Sequence, residues 1–295
     1  NTPVIEINGT AYTVGGLASF MSGPAMAVAI GYALQAPPLV LFSLPTVGYA
    51  CNALGKAGGP LAVLFAAIIA AVLDLPVAFD ILIIDDNSPD GTADIVKGLI
   101  AKHPQRLHIV ERKGKLGLGT AYIAGFKWAL EHGYEYICEM DADFSHAPAD
   151  LPKLRQACKD GADVAVGSRY LTGVNVVNWP MGRVLMSYYA SVYVRTVTRM
   201  PVHDATAGFV CYRRRVLEAL PLDKIRFKGY AFQIEMKFLA YKYGFRIAEV
   251  PIVFVNRVLG TSKMSSGIFS EGFFGVMRLK WSSLFTKYPD YSTKQ

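Results

Sequence analysis

Three short, mainly apolar runs in this chain each end in charged or hydrogen-bonding residues at a turn. Ile81-Leu-Ile-Ile84 runs into Asp85 and Asp86, Tyr136 to Met140 into Asp141 and Asp143, and Val164 to Gly167 into Ser168 and Arg169. Runs of four or five apolar residues bounded by turn chemistry read as buried strands. Between them lie longer segments with helical spacing: one after the turn cluster Asn87-Ser-Pro-Asp-Gly91, one reaching about His132, and one over Leu151 to Lys159. A further strand is expected at Leu107 to Val110. Strands alternating with helices predict a largely parallel sheet covered by helices. Ligands of such sheets bind beyond the carboxyl ends of the strands, where these acids and this arginine stand.

The rest of the chain has a different texture. Of 295 residues, 52% are hydrophobic and 18% charged, which excludes a disordered chain or a coiled coil. Residues 1 to 79 hold one base, Lys56, and two acids, Glu6 and Asp74, so the net positive charge of +7 belongs to residues 80 to 295. The basic part is suited to anionic partners such as phosphates or a lipid headgroup surface. It carries no nucleic-acid recognition motif, so no nucleic-acid partner is expected. Ile7 to Gly55 and Ala57 to Leu73 contain no charge, and their Ala, Gly, Val and Leu content suits two or three short membrane-spanning or re-entrant helices. Buried helices of a soluble core are the competing reading. A signal peptide fits poorly without a basic leader, and the first residue, Asn1, leaves the chain's natural beginning open.

The four cysteines, Cys51, Cys138, Cys158 and Cys211, form no C-x-x-C pair, so reduced thiols facing the cytosol are expected. Asp141-Ala-Asp143 can offer two carboxylates to one hard cation, with sites left for phosphate oxygens; a cap and a solvated acid is the plainer alternative. Asp85 and Asp86 suit either a turn or the base and ribose of a nucleotide. The loop Arg112-Lys-Gly-Lys-Leu-Gly-Leu-Gly119 is neither a dinucleotide fingerprint nor a Walker sequence, and says only that backbone approaches something closely. Arg257-Val-Leu-Gly-Thr-Ser-Lys263, after an expected strand at Ile252 to Val255, can close over phosphates or remain a solvated basic loop. The aromatic C-terminus, Ile268 to Phe285, reads as an interfacial helix or as a helix docked on its own domain.

Seven strings taken together, IDDNSPDGTA, GKLGLGTAYIAGF, MDADFSH, VGSRY, DATAGFVCYRR, KGYAFQIEMKF and NRVLGTSK, resemble those of the dolichol-phosphate (polyprenyl-phosphate) mannosyltransferases, inverting glycosyltransferases of GT-A fold. The likeness spans roughly Ile68 to Lys280. It implies an α/β GT-A (Rossmann-like) domain with a mixed, mostly parallel sheet over 68–265. An apolar, membrane-embedded or permease-like helical segment is expected over 1–67, and an amphipathic segment over 266–295.

The reaction implied is transfer of mannose from GDP-mannose to a dolichyl or polyprenyl phosphate with Mg²⁺ or Mn²⁺, at the cytoplasmic face of a membrane. A UDP-sugar donor and a catalytically impaired, membrane-anchored protein are the alternatives. By the same resemblance Asp85 and Asp86 hold the nucleotide, Asp141 and Asp143 the nucleotide and the metal, and Arg257 and Lys263 the donor phosphates. Arg169, Arg183 and Ser187 surround the lipid phosphate, and Asp143, Arg169 and Asp204 are the expected catalytic group. Gln233 and Glu235 match site-lining positions, Ser145 stands where many members carry Gln, and His146 and Cys138 are expected to be structural. The first-strand string of the family is missing near Ala57 to Leu61, with Leu39 to Leu44 as a substitute strand.

Overall fold

The computed structural model describes residues 4–7, 10–13, 67–89, 91–143, 145–229, 231–256 and 266–292. The chain divides into two compact units, Asn1–Gly114 and Lys115–Gln295. The expected spanning helices, the substitute strand and the loop carrying Arg257 and Lys263 lie outside the described residues. No helix among those described is long and apolar enough to cross a membrane.

In the first unit, β1 (Val4–Ile7) and β2 (Thr10–Thr13) pair antiparallel, at the start of the segment expected to be helical. After a helix over 67–73 (α1), β3 (Ile81–Asp85), α2 (Thr92–Ile100) and β4 (Leu107–Glu111) form a parallel β-α-β step, with Ile81 opposite Leu107. Ile69 of α1, Val96 of α2 and Leu107 of β4 make its core. Arg106 donates to the carbonyls of Leu73 (3.1 Å) and Phe79 (2.8 Å), tying the end of α1 to the start of β3.

The second unit is built on a four-stranded mixed sheet. Its strands are β5 (Tyr136–Glu139), β6 (Val164–Ser168), β8 (Val210–Arg213) and β9 (Ile247–Pro251), ordered β5-β8-β6-β9. A two-residue strand, β7 (Val176–Val177), pairs parallel with β10 (Phe254–Val255). Strand β8 runs antiparallel to both β5 and β6, and β9 parallel to β6. The carboxyl ends of β5, β6 and β9 therefore share one edge with the amino end of β8. The expected strand at Ile252 to Val255 is only partly present, because the main strand ends at Pro251.

Helices α3 (Leu118–Glu131) and α7 (Ala231–Lys242) cover one face, where Phe126, Phe232 and Met236 pack on Val164, Val166, Val210 and Tyr212. Helix α4 (Leu151–Lys159), with the bounds read from sequence, packs against the sheet through Leu154 and Cys158, whose thiol lies 3.5 Å from the Cys211 carbonyl. Short helix α6 (Arg214–Ala219) follows β8. A second core joins α5 (Met181–Thr198), α7 and α8 (Ser266–Phe285) through Val194, Ile234, Phe238, Val276 and Leu279. Helix α8 is thus docked on its own unit. It also leaves Phe273, Phe274, Met277, Trp281, Leu284 and Phe285 exposed.

Candidate active site

At the shared strand edge of the second unit lies a cleft of about 470 Å³. Its polar end holds Asp141 and Asp143 after β5, Arg169 after β6, and Thr206 to Gly208 ahead of β8. Its walls are mainly apolar: Trp179 and Phe254 on one side, Met186, Tyr189 and Tyr193 of α5, and Phe273 of α8. The sheet order explains why residues so distant in sequence meet. An antiparallel β8 between two strands of common direction brings its own entry loop to their exits.

Asp141 and Asp143 each have one oxygen fixed by a hydroxyl. The Tyr122 hydroxyl donates to Asp141 Oδ1 at 2.6 Å. Asp143 Oδ1 accepts from the Ser145 hydroxyl at 2.5 Å and from its amide at 3.1 Å, a turn that aims Ser145 back at the carboxylate. Burial, and then the charge of Asp141, raise the Tyr122 phenol well above its ordinary range, so it remains a donor. Gly208 gives the pair room: a Cβ there would stand 3.8 Å from Asp141 Oδ2. No group of three His, Cys, Asp or Glu capable of holding a metal occurs among the described residues. Two carboxylates supply part of an all-oxygen shell, and a hard cation of about six-fold coordination accepts phosphate oxygens and water in the rest. The pair fits Mg²⁺ or Mn²⁺ on those terms.

Arg169 and Asp204 form a closed pair. Arg169 donates from Nε (2.7 Å) and Nη2 (2.6 Å) to the two Asp204 oxygens, and its main-chain amide adds a third bond at 3.0 Å. Nη2 also reaches the Thr206 hydroxyl at 2.8 Å. Burial pushes the Asp204 carboxyl up, but the charge and hydrogen bonds of Arg169 outweigh it and hold the group below its usual range. Asp204, expected among the catalytic residues, is completely buried with its carboxylate committed to Arg169. It holds the guanidinium through two side-chain hydrogen bonds. Glu249 of β9 fixes the segment by accepting from the amides of His203 (2.8 Å) and Asp204 (3.0 Å).

Arg183 borders the same cleft with its guanidinium 4.1 Å from the Trp179 ring centroid and a hydrogen bond to Asn256. Ser187 lines it one turn further along α5. His146 is buried against Phe209 and Phe254, and burial lowers its pKa despite the nearby Asp141 and Asp143, so the ring is neutral near pH 7. Behind β5, burial pushes Glu139 up to about 8 against the pull of Lys237. Lys237, fully buried, is drawn down to about 8 and donates to the Ala207 carbonyl at 2.6 Å. Gln233 also accepts from Lys237, while Glu235 accepts from the amides of Arg226 and Phe227 at 2.9 Å each; these two support the site from behind.

Of the other expected residues, Arg257 and Lys263 lie outside the described residues, and Asp85 and Asp86 belong to the first unit. Asp85 is buried and accepts from the Ser88 amide at 3.0 Å, and Asp86 is engaged by both Nε (2.5 Å) and Nη2 (2.7 Å) of Arg112. Sequence reasoning missed Tyr122, Trp179, Thr206 and Gly208. Of these only Trp179 had no signal, since Tyr122, Thr206 and Gly208 all fall inside strings carrying the resemblance.

The chain is 47% identical over 196 residues to the polyprenol monophosphomannose synthase of Mycolicibacterium smegmatis, covering 66% of this chain and 74% of that protein. It is 46% identical over 209 residues to the undecaprenyl-phosphate mannosyltransferase of Micrococcus luteus, covering 70% and 85%. Among solved structures, glucosyl-3-phosphoglycerate synthase of Mycobacterium tuberculosis in complex with Mn²⁺, UDP and phosphoglyceric acid matches with a TM-score of 0.54 at 15% identity, over 79% of this chain and 82% of that one. At that identity the match speaks for a GT-A-like α/β fold alone. Residues 62–220 match the family model described as glycosyl transferase family 2, and with these relatives the chain belongs to that family.

Proposed function

We propose that this protein transfers mannose from GDP-mannose to a polyprenyl phosphate with inversion at the anomeric carbon. The observation that carries the reading is the composition of one cleft: two carboxylates at one end, Arg169 and Arg183 beside them, and an apolar wall from α5 and α8. Carboxylates that bind a cation suit a nucleotide diphosphate, arginines suit an acceptor phosphate, and an apolar wall suits the chain attached to it. The names of the two bacterial relatives support the same donor sugar and acceptor class.

In this reaction an oxygen of the lipid phosphate forms a bond to C1 of mannose as the C1–oxygen bond to GDP breaks, and GDP leaves with the electron pair. The nucleophile is already anionic near pH 7, so no strong base is required. Asp141 and Asp143 would hold Mg²⁺ or Mn²⁺, which when bound offsets the charge on the departing diphosphate. Arg183, Ser187 and the Asp204-braced Arg169 orient the acceptor, so the rate comes from positioning and charge stabilisation. Asp85 and Asp86 are assigned to the nucleotide, and Arg257 and Lys263 to the donor phosphates.

The exposed apolar side chains of α5 and α8, Met181, Leu185, Tyr189, Phe274, Trp281 and Phe285, support work at a membrane surface. The free cysteines Cys138, Cys158 and Cys211 support its cytoplasmic side. The test is incubation with radiolabelled GDP-mannose, polyprenyl phosphate and Mg²⁺ or Mn²⁺. Label is expected in the lipid fraction with the parent protein and not with Asp143→Ala. An unlabelled lipid fraction from the parent removes the enzymatic reading, and equal transfer from UDP-glucose removes the assignment of the donor.

A further inference from the structure

The glycine-bearing loop before α3 is a packing device. The Gly119 amide donates to the Lys228 carbonyl at 2.9 Å, and a Cβ on Gly119 would fall 2.6 Å from Phe232 Cδ2 and 3.0 Å from the Phe227 carbonyl oxygen. Gly117, at φ +106°, approaches the Lys228 Cβ as closely, 2.9 Å from where its own Cβ would be. The receiving segment is pinned by Glu235 through the amides of Arg226 and Phe227. Only backbone without side chains lets α3 come this near. The result is a parallel stack of Tyr122 on Phe232, centroids 6.0 Å apart and planes 9° apart, that carries the Tyr122 hydroxyl to 2.6 Å from Asp141 Oδ1.

We infer that Tyr122 is a positioning residue for Asp141: its hydroxyl holds one carboxylate oxygen so that the other is presented to a divalent cation. The inference rests on the reading of Asp141 and Asp143 as a cation-holding pair. Asp143 has a comparable arrangement in Ser145, whose hydroxyl fixes one of its oxygens. Partners that orient metal-binding carboxylates typically account for 10- to 100-fold in metal affinity. A hydrogen bond of merely structural value would change stability and leave cation affinity alone.

Tyr122→Phe removes one oxygen and keeps the ring stack. Phe232→Leu removes the ring on which Tyr122 leans and keeps the hydroxyl. Mn²⁺ alone is titrated into wild type, both variants and Asp143→Asn, with binding followed by water-proton relaxation and folding by thermal denaturation. Wild type is expected to bind, Asp143→Asn to lose binding, and Tyr122→Phe to weaken it about tenfold with a small change in Tm. Phe232→Leu is expected to shift affinity in the same direction by less. In turnover assays Tyr122→Phe is expected to need about tenfold more Mn²⁺ for half-maximal rate, with kcat at saturating Mn²⁺ within about twofold. Wild-type affinity in both variants overturns the role of Tyr122 and leaves the cation pair standing. Absence of Mn²⁺ binding in the wild type overturns the pair itself, and this role with it.

Discussion

Removing the cation of the Arg169–Asp204 pair, with Arg169→Met, isolates the part of the site where burial and charge oppose each other most strongly. Asp204 is completely buried and loses two of its three bonds to Arg169, those from Nε and Nη2, while the main-chain amide remains. At about 1.5 to 3 kcal/mol for each hydrogen bond to a charged group, the loss is about 3 to 6 kcal/mol. Deletion of one partner of a buried pair typically costs about 3 to 5 kcal/mol, which agrees. Methionine keeps much of the apolar stem in place, so cavity formation adds little.

The pH dependence gives the sharper test. In wild type the Asp204 pKa is depressed by Arg169, so its contribution is present above the unfolded carboxylate value of 3.8 and lost as pH falls through the lower folded value. Without the Arg169 side chain, burial raises the carboxyl against only the weaker pull of the Arg169 main-chain amide and Lys237, so it takes a proton more readily than in wild type. The destabilisation should be greatest near pH 7 and shrink towards pH 4.5. Urea denaturation of wild type, Arg169→Met and Arg169→Met/Asp204→Asn at pH 7 and 4.5 reads both effects. The double variant should recover more than half of the loss at pH 7, since no uncompensated charge remains. A single-variant loss below about 1 kcal/mol at pH 7, or one that does not shrink in acid, refutes the argument.

Lys237→Met should destabilise by about 1 to 3 kcal/mol, because it leaves the buried Ala207 carbonyl without its donor, while Glu139, pushed up to about 8 by burial, is mostly protonated near pH 7 and leaves no strong uncompensated charge. Adding Glu139→Gln should restore little of this near pH 7 in a denaturation double-mutant cycle, and a large recovery would show that Glu139 is charged there. Gly208→Ala places a methyl 3.8 Å from Asp141 Oδ2 without a clash. Stability should stay within about 0.5 kcal/mol of wild type while mannosyl transfer falls at least about tenfold, and full activity would put the reacting groups elsewhere. Trp281→Glu together with Phe274→Glu, at positions 68% and 69% exposed, should abolish co-sedimentation with anionic phospholipid vesicles at unchanged Tm. Undiminished vesicle binding would remove α8 from the membrane contact.

The elements legible in the sequence were those whose cause is local. Val164 to Val166 is an apolar run because the strand is buried on both faces, and α4 has Pro152 in its first turn, where a missing amide hydrogen does no harm. The acids at the ends of β3 and β5 were legible for the same reason: a turn, and nothing distant, accounts for a charge directly after an apolar strand. Strand β9 was obscured by Glu249, a carboxylate inside a strand, whose burial depends on amides 45 and 46 residues away. Asp204 likewise gave no sign of its partner, 35 residues back in the chain. Cys138, Cys158 and Cys211, widely spaced in sequence, come together because the register sets Cys138 opposite Cys211 and α4 lays Cys158 beside the latter.

The glycine loop shows where local reading stops. Its composition requires close approach of backbone to something, and phosphate is the familiar occupant of such a loop. What it approaches here is the chain itself at Phe227, Lys228 and Phe232, more than 100 residues later. No window of sequence contains both sides of that contact. The pattern therefore specified a steric demand without specifying its object, and the object found here is the fit that puts Tyr122 within hydrogen-bond reach of Asp141.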